Sequence, residues 1–287
     1  NLDRSVHNNQ QKVLRKNIYG VKGFIIASCV FSIIITSLLP HFGILLIALA
    51  KEWFFTVLPA KYHFDSFIKV FTHPLTLGSL YNSLLLSICS TFTVTSIGFL
   101  TAYIAKKIPN FFTNSLITLG MLPLVIPGIV LAFGFLGAFS GTFLDPRSNA
   151  FPLLMIAYAS KRLPFMLRSS VIALEQFSSS LEESATMSGS TPFRTLTKII
   201  LPIVRPNLVA GALVCFAFSM IEVSDSLILA LDEKNYPISK ALYALSGRPD
   251  GIPLACALGI VSSIFVLLVL LIAAKLTKRP LGDMFRG

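Results

Sequence analysis

The stretch SLEESATMSGSTPFRTLTKIILP, Ser180 to Pro202, is a polar, punctuated interval between apolar runs, and its local signals divide it in two. Ser180 and Glu183 stand at the S-x-x-E spacing of a capping box, in which the serine oxygen and the glutamate carboxylate satisfy orphan N–H groups at a helix start. A short helix is therefore predicted from about Leu181. Gly189 is free to take positive φ and end that helix, and Thr191 with Pro192 supplies an N-cap and a first-turn proline for a second one. On the second helix Phe193, Leu196 and Ile200 form an apolar stripe, with Arg194 and Lys198 on another face. Pro202 is expected to close the pair where the next apolar run begins. Such a bracket suits a docking surface; an amphipathic loop resting on lipid is the alternative.

What surrounds the stretch is oily. The 287 residues are 54% hydrophobic and 13% charged, with a mean hydropathy of +0.76, which excludes an ordinary soluble domain. The expected fold class is an all-α polytopic membrane protein with six transmembrane helices, at about 23–50, 83–105, 115–139, 151–174, 207–231 and 252–274. Each is long enough for a hydrocarbon core that needs roughly 20 apolar residues. Pro40 and His41 predict a kink or tilt in the first helix, and Pro123, Pro127 and Gly128 a bend in the third. The fourth is interrupted by Lys161, Arg162, Pro164 and Arg168. These bases read as topology anchors and head-group contacts, with the second half of that helix near the cytosolic surface. Residues 51–82 are aromatic-rich in the manner of a membrane interface. The domain reading is a basic segment 1–22, a six-helix body 23–275 and a basic tail 276–287.

The net charge of +11 does not indicate nucleic acid, because the bases lie between the apolar runs rather than on one stripe. Their distribution orients the chain. With the N-terminus in the cytosol, 17 of the 24 Lys and Arg fall on inside segments and 7 outside, so both termini and the 180–202 stretch are expected inside. Cys29, Cys89, Cys215 and Cys256 all fall in apolar runs without metal-ligand spacing and read as buried small hydrophobes. His7, His41, His63 and His73 have no partner at a metal or nucleophile spacing, and no P-loop is present to hold ATP. No catalytic residue, metal or bound cofactor is expected; the chain is not an enzyme.

Glu222 and Asp225 are the informative acids. They fall inside the fifth apolar run, where an ionised side chain costs roughly 2.5–3.5 kcal/mol on insertion scales, and the i, i+3 spacing puts them on one helix face near Ser219 and Ser226. Two readings stand: a pair bracing helices, or residues lining a translocation path.

The bracket resembles a known motif. Glu183-Ser-Ala, Gly189, Ile199 and Leu201-Pro202 match the EAA motif of the permease subunits of bacterial type I ABC importers, with Ser184 in place of the first alanine. Asn82-Ser-Leu, Leu122-Pro, Ile126-Pro-Gly, Arg162-Leu-Pro-Phe and Pro206-Asn-Leu-Val-Ala-Gly extend the resemblance over most of the chain, most closely to the ferric iron branch. The resemblance implies the type I permease fold and a coupling helix seated in a cleft of an ATPase subunit. It assigns that contact to Glu182, Glu183, Ser184, Ala185, Gly189, Phe193, Arg194, Ile199, Leu201 and Pro202. It implies as partners an ABC ATPase dimer that uses the ATP, a second permease half or copy, an extracytoplasmic substrate-binding protein and membrane lipid. It also implies residence in the bacterial inner membrane. Ferric iron is the first expectation for cargo, with thiamine, polyamine, phosphonate or sugar phosphate beside it. The basic lead-in without Met resembles the second half of a fused permease. From other classes, an ion-coupled transporter or channel acting through Glu222 and Asp225, or a membrane scaffold, remain as alternatives.

Overall fold

The computed structural model describes residues 20–53 and 55–277, so most of the basic segment 1–22 and of the tail 276–287 lies outside the described residues. The chain falls into two units, residues 1–44 and 45–287. The described part of the first belongs to helix α1 (Val21–Leu49), which runs through Pro40 as one element. Cys29 on this helix is exposed, contrary to the expectation of a buried thiol. An apolar helix long enough to cross a membrane is solvated by lipid, so a small apolar side chain there needs no protein around it. Cys215 is buried, and Cys89 and Cys256 are partly so.

In the second unit a small antiparallel pair, β1 (Ala50–Glu52) and β2 (Lys61–Tyr62), leads into α2 (Asp65–Thr72). Helix α3 (Pro74–Lys107) starts well before the apolar run, because His73 Nδ1 accepts the Leu75 N–H at 3.2 Å and Pro74 occupies the first turn. It buries a row of small residues, among them Ser79, Ser83, Ser87, Ser90, Gly98 and Ala102, that lets neighbouring backbones come close.

The third predicted helix is broken rather than merely bent. α4 (Phe111–Gly120) is capped reciprocally by Asn110 and Thr113, a single turn follows at Leu122–Leu124, and α5 (Gly128–Phe139) departs at 109°. Pro123 and Pro127 each remove a backbone donor there, and the chain changes direction between them.

Among the described residues four helices are long and apolar enough to cross a membrane, Val21–Leu49, Pro74–Lys107, Pro192–Met220 and Ile252–Ile272, or five if the bent pair is counted as one span. Helix α6 (Ala150–Glu175) is not among them, for a reason its surroundings supply. It packs against both α3 and α9 and buries Leu153, Leu154, Tyr158, Met166 and Leu167. A helix covered by protein on most sides meets little lipid, so polar residues are tolerated along it.

After α7 (Ser179–Met187) and α8 (Pro192–Thr195), a π-helical turn, Leu196–Ile200, passes directly into α9 (Leu201–Met220). The bracket therefore does not close at Pro202; Pro192–Met220 is one rod of 29 residues. The ring of Pro202 crowds the carbonyl four residues back, and the wider turn, in which the Leu201 N–H donates to the Leu196 carbonyl, absorbs that clash without ending the helix. The fifth predicted helix is also corrected: α9 stops at Met220, and a separate α10 (Ser224–Leu229) follows. α11 (Ile238–Ser246) and α12 (Ile252–Thr277) complete the unit.

Candidate functional site

The bracket is shaped by its turn. Gly189 sits at φ +77°, the Ser190 N–H donates to the Ala185 carbonyl at 3.0 Å, and the Gly189 N–H to the Thr186 carbonyl at 2.9 Å. These are the two bonds of a Schellman cap, which requires a left-handed residue where a Cβ is penalised. Thr191 then accepts the Arg194 N–H at 3.4 Å as the N-cap of α8. The capping box expected at the other end is absent. Helix α7 begins at Ser179 with Ser178 as N-cap, so Ser180 is already inside the first turn and Glu183 lies too far along to reach back. Ser180 instead offers its carbonyl to Ser184 Oγ at 2.8 Å.

Of the residues assigned to the bracket, Glu183, Ser184, Gly189, Phe193, Arg194, Leu201 and Pro202 are exposed, Ile199 is half-buried and Ala185 is buried. Phe193 is 75% exposed whereas Ile200 is buried at 1%, so the apolar stripe is anchored at one end and bare at the other. Glu182 is half-buried and turns toward α3, where it pairs with Lys107. A concavity of about 840 Å³ is lined by Lys107, Glu182, Glu183, Ser184, Thr186 and Met187.

The second feature lies in the bundle interior, where two broken elements meet α6. Glu222 sits in the gap between α9 and α10, and Asp225 in the first turn of α10, so they do not share one continuous helix as their spacing suggested. Lys161 Nζ reaches Glu222 Oε1 at 2.6 Å and Asp225 Oδ2 at 3.3 Å. The Arg162 guanidinium pairs with the other Glu222 oxygen, donates to the Phe218 carbonyl at 2.8 Å and lies over the Phe218 ring. Side-chain exposures are 10% for Lys161, 11% for Arg162, 6% for Glu222 and 0% for Asp225. The four charges sum to zero, which is what makes them tolerable away from water. The expectation that Lys161 and Arg162 anchor the helix to head groups is thus corrected: both point inward, to carboxylates. Arg168 is exposed.

Ser226 belongs to the same knot, donating to the Glu222 carbonyl at 2.6 Å and sharing a 2.6 Å hydrogen bond with Tyr158 Oη. Ser219 faces elsewhere and accepts from Ser90 of α3 at 3.3 Å. Gly128, the first residue of α5, closes the knot from the other side. A Cβ there would fall 2.8 Å from both Lys161 Nζ and Ser224 Oγ. Sequence reasoning did not connect Lys161, Arg162, Tyr158 and Gly128 to the acids. The available signal was the presence of bases inside one predicted membrane helix and acids inside another, charges that pair rather than face lipid. Asn82 was likewise unassigned; its Nδ2 donates to the Lys234 and Tyr236 carbonyls at 2.8 and 3.2 Å and fixes the connection between α10 and α11.

Comparison with known proteins gives the family. The model of the family described as "Binding-protein-dependent transport system inner membrane component" matches residues 94–281. The chain is similar to the molybdenum transport system permease protein of Escherichia coli, 28% identical over 173 residues that cover 55% of this chain and 74% of that protein. It is similar to a ferric transport system permease protein of Haemophilus influenzae, 27% identical over 151 residues, 53% of this chain and 24% of that longer protein. Among solved structures it resembles a bacterial ABC transporter involved in import of the acidic polysaccharide alginate, with a TM-score of 0.70 at 19% identity, covering 90% of this chain and 96% of that one. The chain belongs to the binding-protein-dependent transport system inner membrane component family. It has the type I ABC importer permease fold and is a multi-pass transport component of the inner membrane.

Proposed function

We propose that this permease docks on an ABC ATPase dimer through the 180–202 bracket and, with a second permease half or copy, forms the path along which a small solute delivered by an extracytoplasmic binding protein crosses the membrane. Both termini and the bracket then lie in the cytosol, as the excess of Lys and Arg on those segments favours. The observation that carries the reading is the Schellman-capped turn at Gly189, which joins α7, where Glu183 is exposed, to the start of the rod Pro192–Met220, where Phe193 and Arg194 are exposed. An exposed aromatic on a short helix bracket that also exposes charges of both signs suits a cleft in a partner.

Ferric iron is the first candidate cargo on the resemblance to the ferric iron branch alone. The geometry adds no preference for a cation, because Glu222 and Asp225 are neutralised by Lys161 and Arg162 and offer no free negative charge. Of their two roles, bracing α6 against the α9–α10 gap fits this pairing better than lining the path. Co-purification tests the docking: the ATPase subunit is expected to remain with the wild-type protein and to be lost from Glu183→Ala and Gly189→Ala. Retention by both variants would refute it. In proteoliposomes holding the whole assembly, uptake of ferric iron against thiamine and a phosphonate identifies the cargo.

A further inference from the structure

We propose that Lys107, acting through Glu182, is a positioning residue that ties the bracket to α3 and so carries bracket movement into the bundle. By sequence, Lys106 and Lys107 only mark the end of a membrane helix; in the structure they reach in different directions. Lys106 Nζ donates to the Leu174 carbonyl and to the Phe177 carbonyl at 3.0 Å, and lies 5.5 Å from the centre of the Phe177 ring. It thereby closes the C-terminal end of α6, where carbonyls lack helical partners and a cation is favoured. Lys107 pairs with Glu182 of α7, and Tyr103 Oη donates to the same Glu182 oxygen at 3.4 Å. Tyr103 in turn stacks on Phe99 one turn earlier, with ring centroids 6.3 Å apart.

The end of α3 thus grips both sides of the short connection 176–178 between α6 and α7. Helix α7 also touches α8 and the π turn, while α3 packs against both α6 and α9. With the ion pair intact, α7 moves with α3. Without it, α7 is free to rock on residues 176–178, and bracket displacement is only partly passed on.

This inference rests on the importer reading, so its test has one arm that needs the ATPase and one that does not. In the reconstituted complex, Lys107→Gln is expected to lower solute transported per ATP hydrolysed by about two- to five-fold with the ATPase still bound, the range a partly exposed ion pair supports; Glu182→Gln, at a residue also assigned to the ATPase contact, is read by label mobility alone. The exchanged pair Lys107→Glu with Glu182→Lys should recover most of the loss. In the permease alone, a spin label at Met187, which is 91% exposed, should become more mobile in each single variant and return toward wild type in the exchange. An unchanged transport ratio and unchanged mobility in the single variants would overturn the tie. Loss of bound ATPase from Lys107→Gln would do the same, making the pair part of the docking surface. A wild-type protein that holds no ATPase fails the importer reading instead, and the mobility arm still decides the tie.

Discussion

Replacing Lys161 with methionine is the most demanding perturbation of the bundle, because one ammonium serves two carboxylates. Its contacts of 2.6 Å to Glu222 and 3.3 Å to Asp225 are made at 10% side-chain exposure, and Asp225 is fully buried. Among the described residues neither Asp225 oxygen has a hydrogen-bond donor, so Lys161 supplies their near compensation as an ion pair only. Glu222 keeps Arg162 when Lys161 is removed; among the described residues Asp225 keeps no ion-pair partner. Deleting one member of a buried pair costs about 3–5 kcal/mol, a large part of the roughly 5–15 kcal/mol by which folded proteins are stable. At about 2–4 °C per kcal/mol for a chain of this size, the midpoint should fall by roughly 10 °C. Lys161→Met combined with Asp225→Leu leaves Glu222 and Arg162 as a neutral pair and should recover to within about 1–2 kcal/mol of wild type. Thermal unfolding in detergent, followed by a thiol dye on buried Cys215 with the other three cysteines changed to alanine, reads the loss directly. A Lys161→Met midpoint within about 2 °C of wild type, or strictly additive losses in the cycle, would refute the argument.

Gly189→Ala forces a Cβ onto φ +77° where no neighbour lies within 4 Å, so the loss is backbone strain alone, about 1–2 kcal/mol, and Gly189→Asn should be milder in the same midpoint assay. Gly128→Ala brings a Cβ to 2.8 Å from Lys161 Nζ and Ser224 Oγ and should cost about 1–3 kcal/mol in the same midpoint assay, less in a Lys161→Met background, where only the Ser224 contact of the two remains. Asp145, in the connection from α5 to α6, is held well below the usual carboxylate range by the Arg147 side chain first and then by the Gly141 and Arg147 N–H groups. A depressed value means that its stabilisation is complete above about pH 4, the ordinary carboxylate value, and is lost only as pH falls through the lower folded value. Hydrogen exchange across 140–149 should therefore be protected equally at pH 5 and pH 8 after correction for intrinsic rates, and Asp145→Asn should lose that protection at both.

What the sequence revealed and what it hid divide along physical lines. The turn at Gly189 and the N-cap at Thr191 are local events, set by residues within four positions, and both were legible. The capping box failed on register alone: Ser178, Ser179 and Ser180 all carry the same hydroxyl, and only the fold decides that the helix begins at Ser179. The break at Pro123 and Pro127 was visible as a bend, but its 109° angle depends on how α5 packs against α10. The role of Lys161 and Arg162 was hidden because hydropathy scores a residue by what it is and not by what covers it. In a helix buried among others, two bases read as an interruption until the acids 60 residues away come within 3.3 Å.

The bracket and the knot are also joined in a way that neither shows by itself. Two helices leave the bracket, α6 on one side and the rod Pro192–Met220 on the other, and both arrive at the same four charges, α6 through Lys161 and Arg162, the rod through Glu222 just past its end. Lys106 fastens the bracket end of α6 to α3, and α3 lies along both helices, so the three make a closed frame. A frame fixed at both ends transmits rotation, whereas two helices fixed only at the bracket would splay under the same load. A salt bridge in water could not hold the far corner, since an exposed pair is worth at most about 1 kcal/mol; a buried, mutually neutral cluster resists separation because pulling it apart strands charge. That is reason enough for ionised groups in the interior of this bundle without any of them touching cargo. It also predicts why the charges give no hint of cargo: a cluster that attracted a passing ion would loosen the corner on which the frame depends.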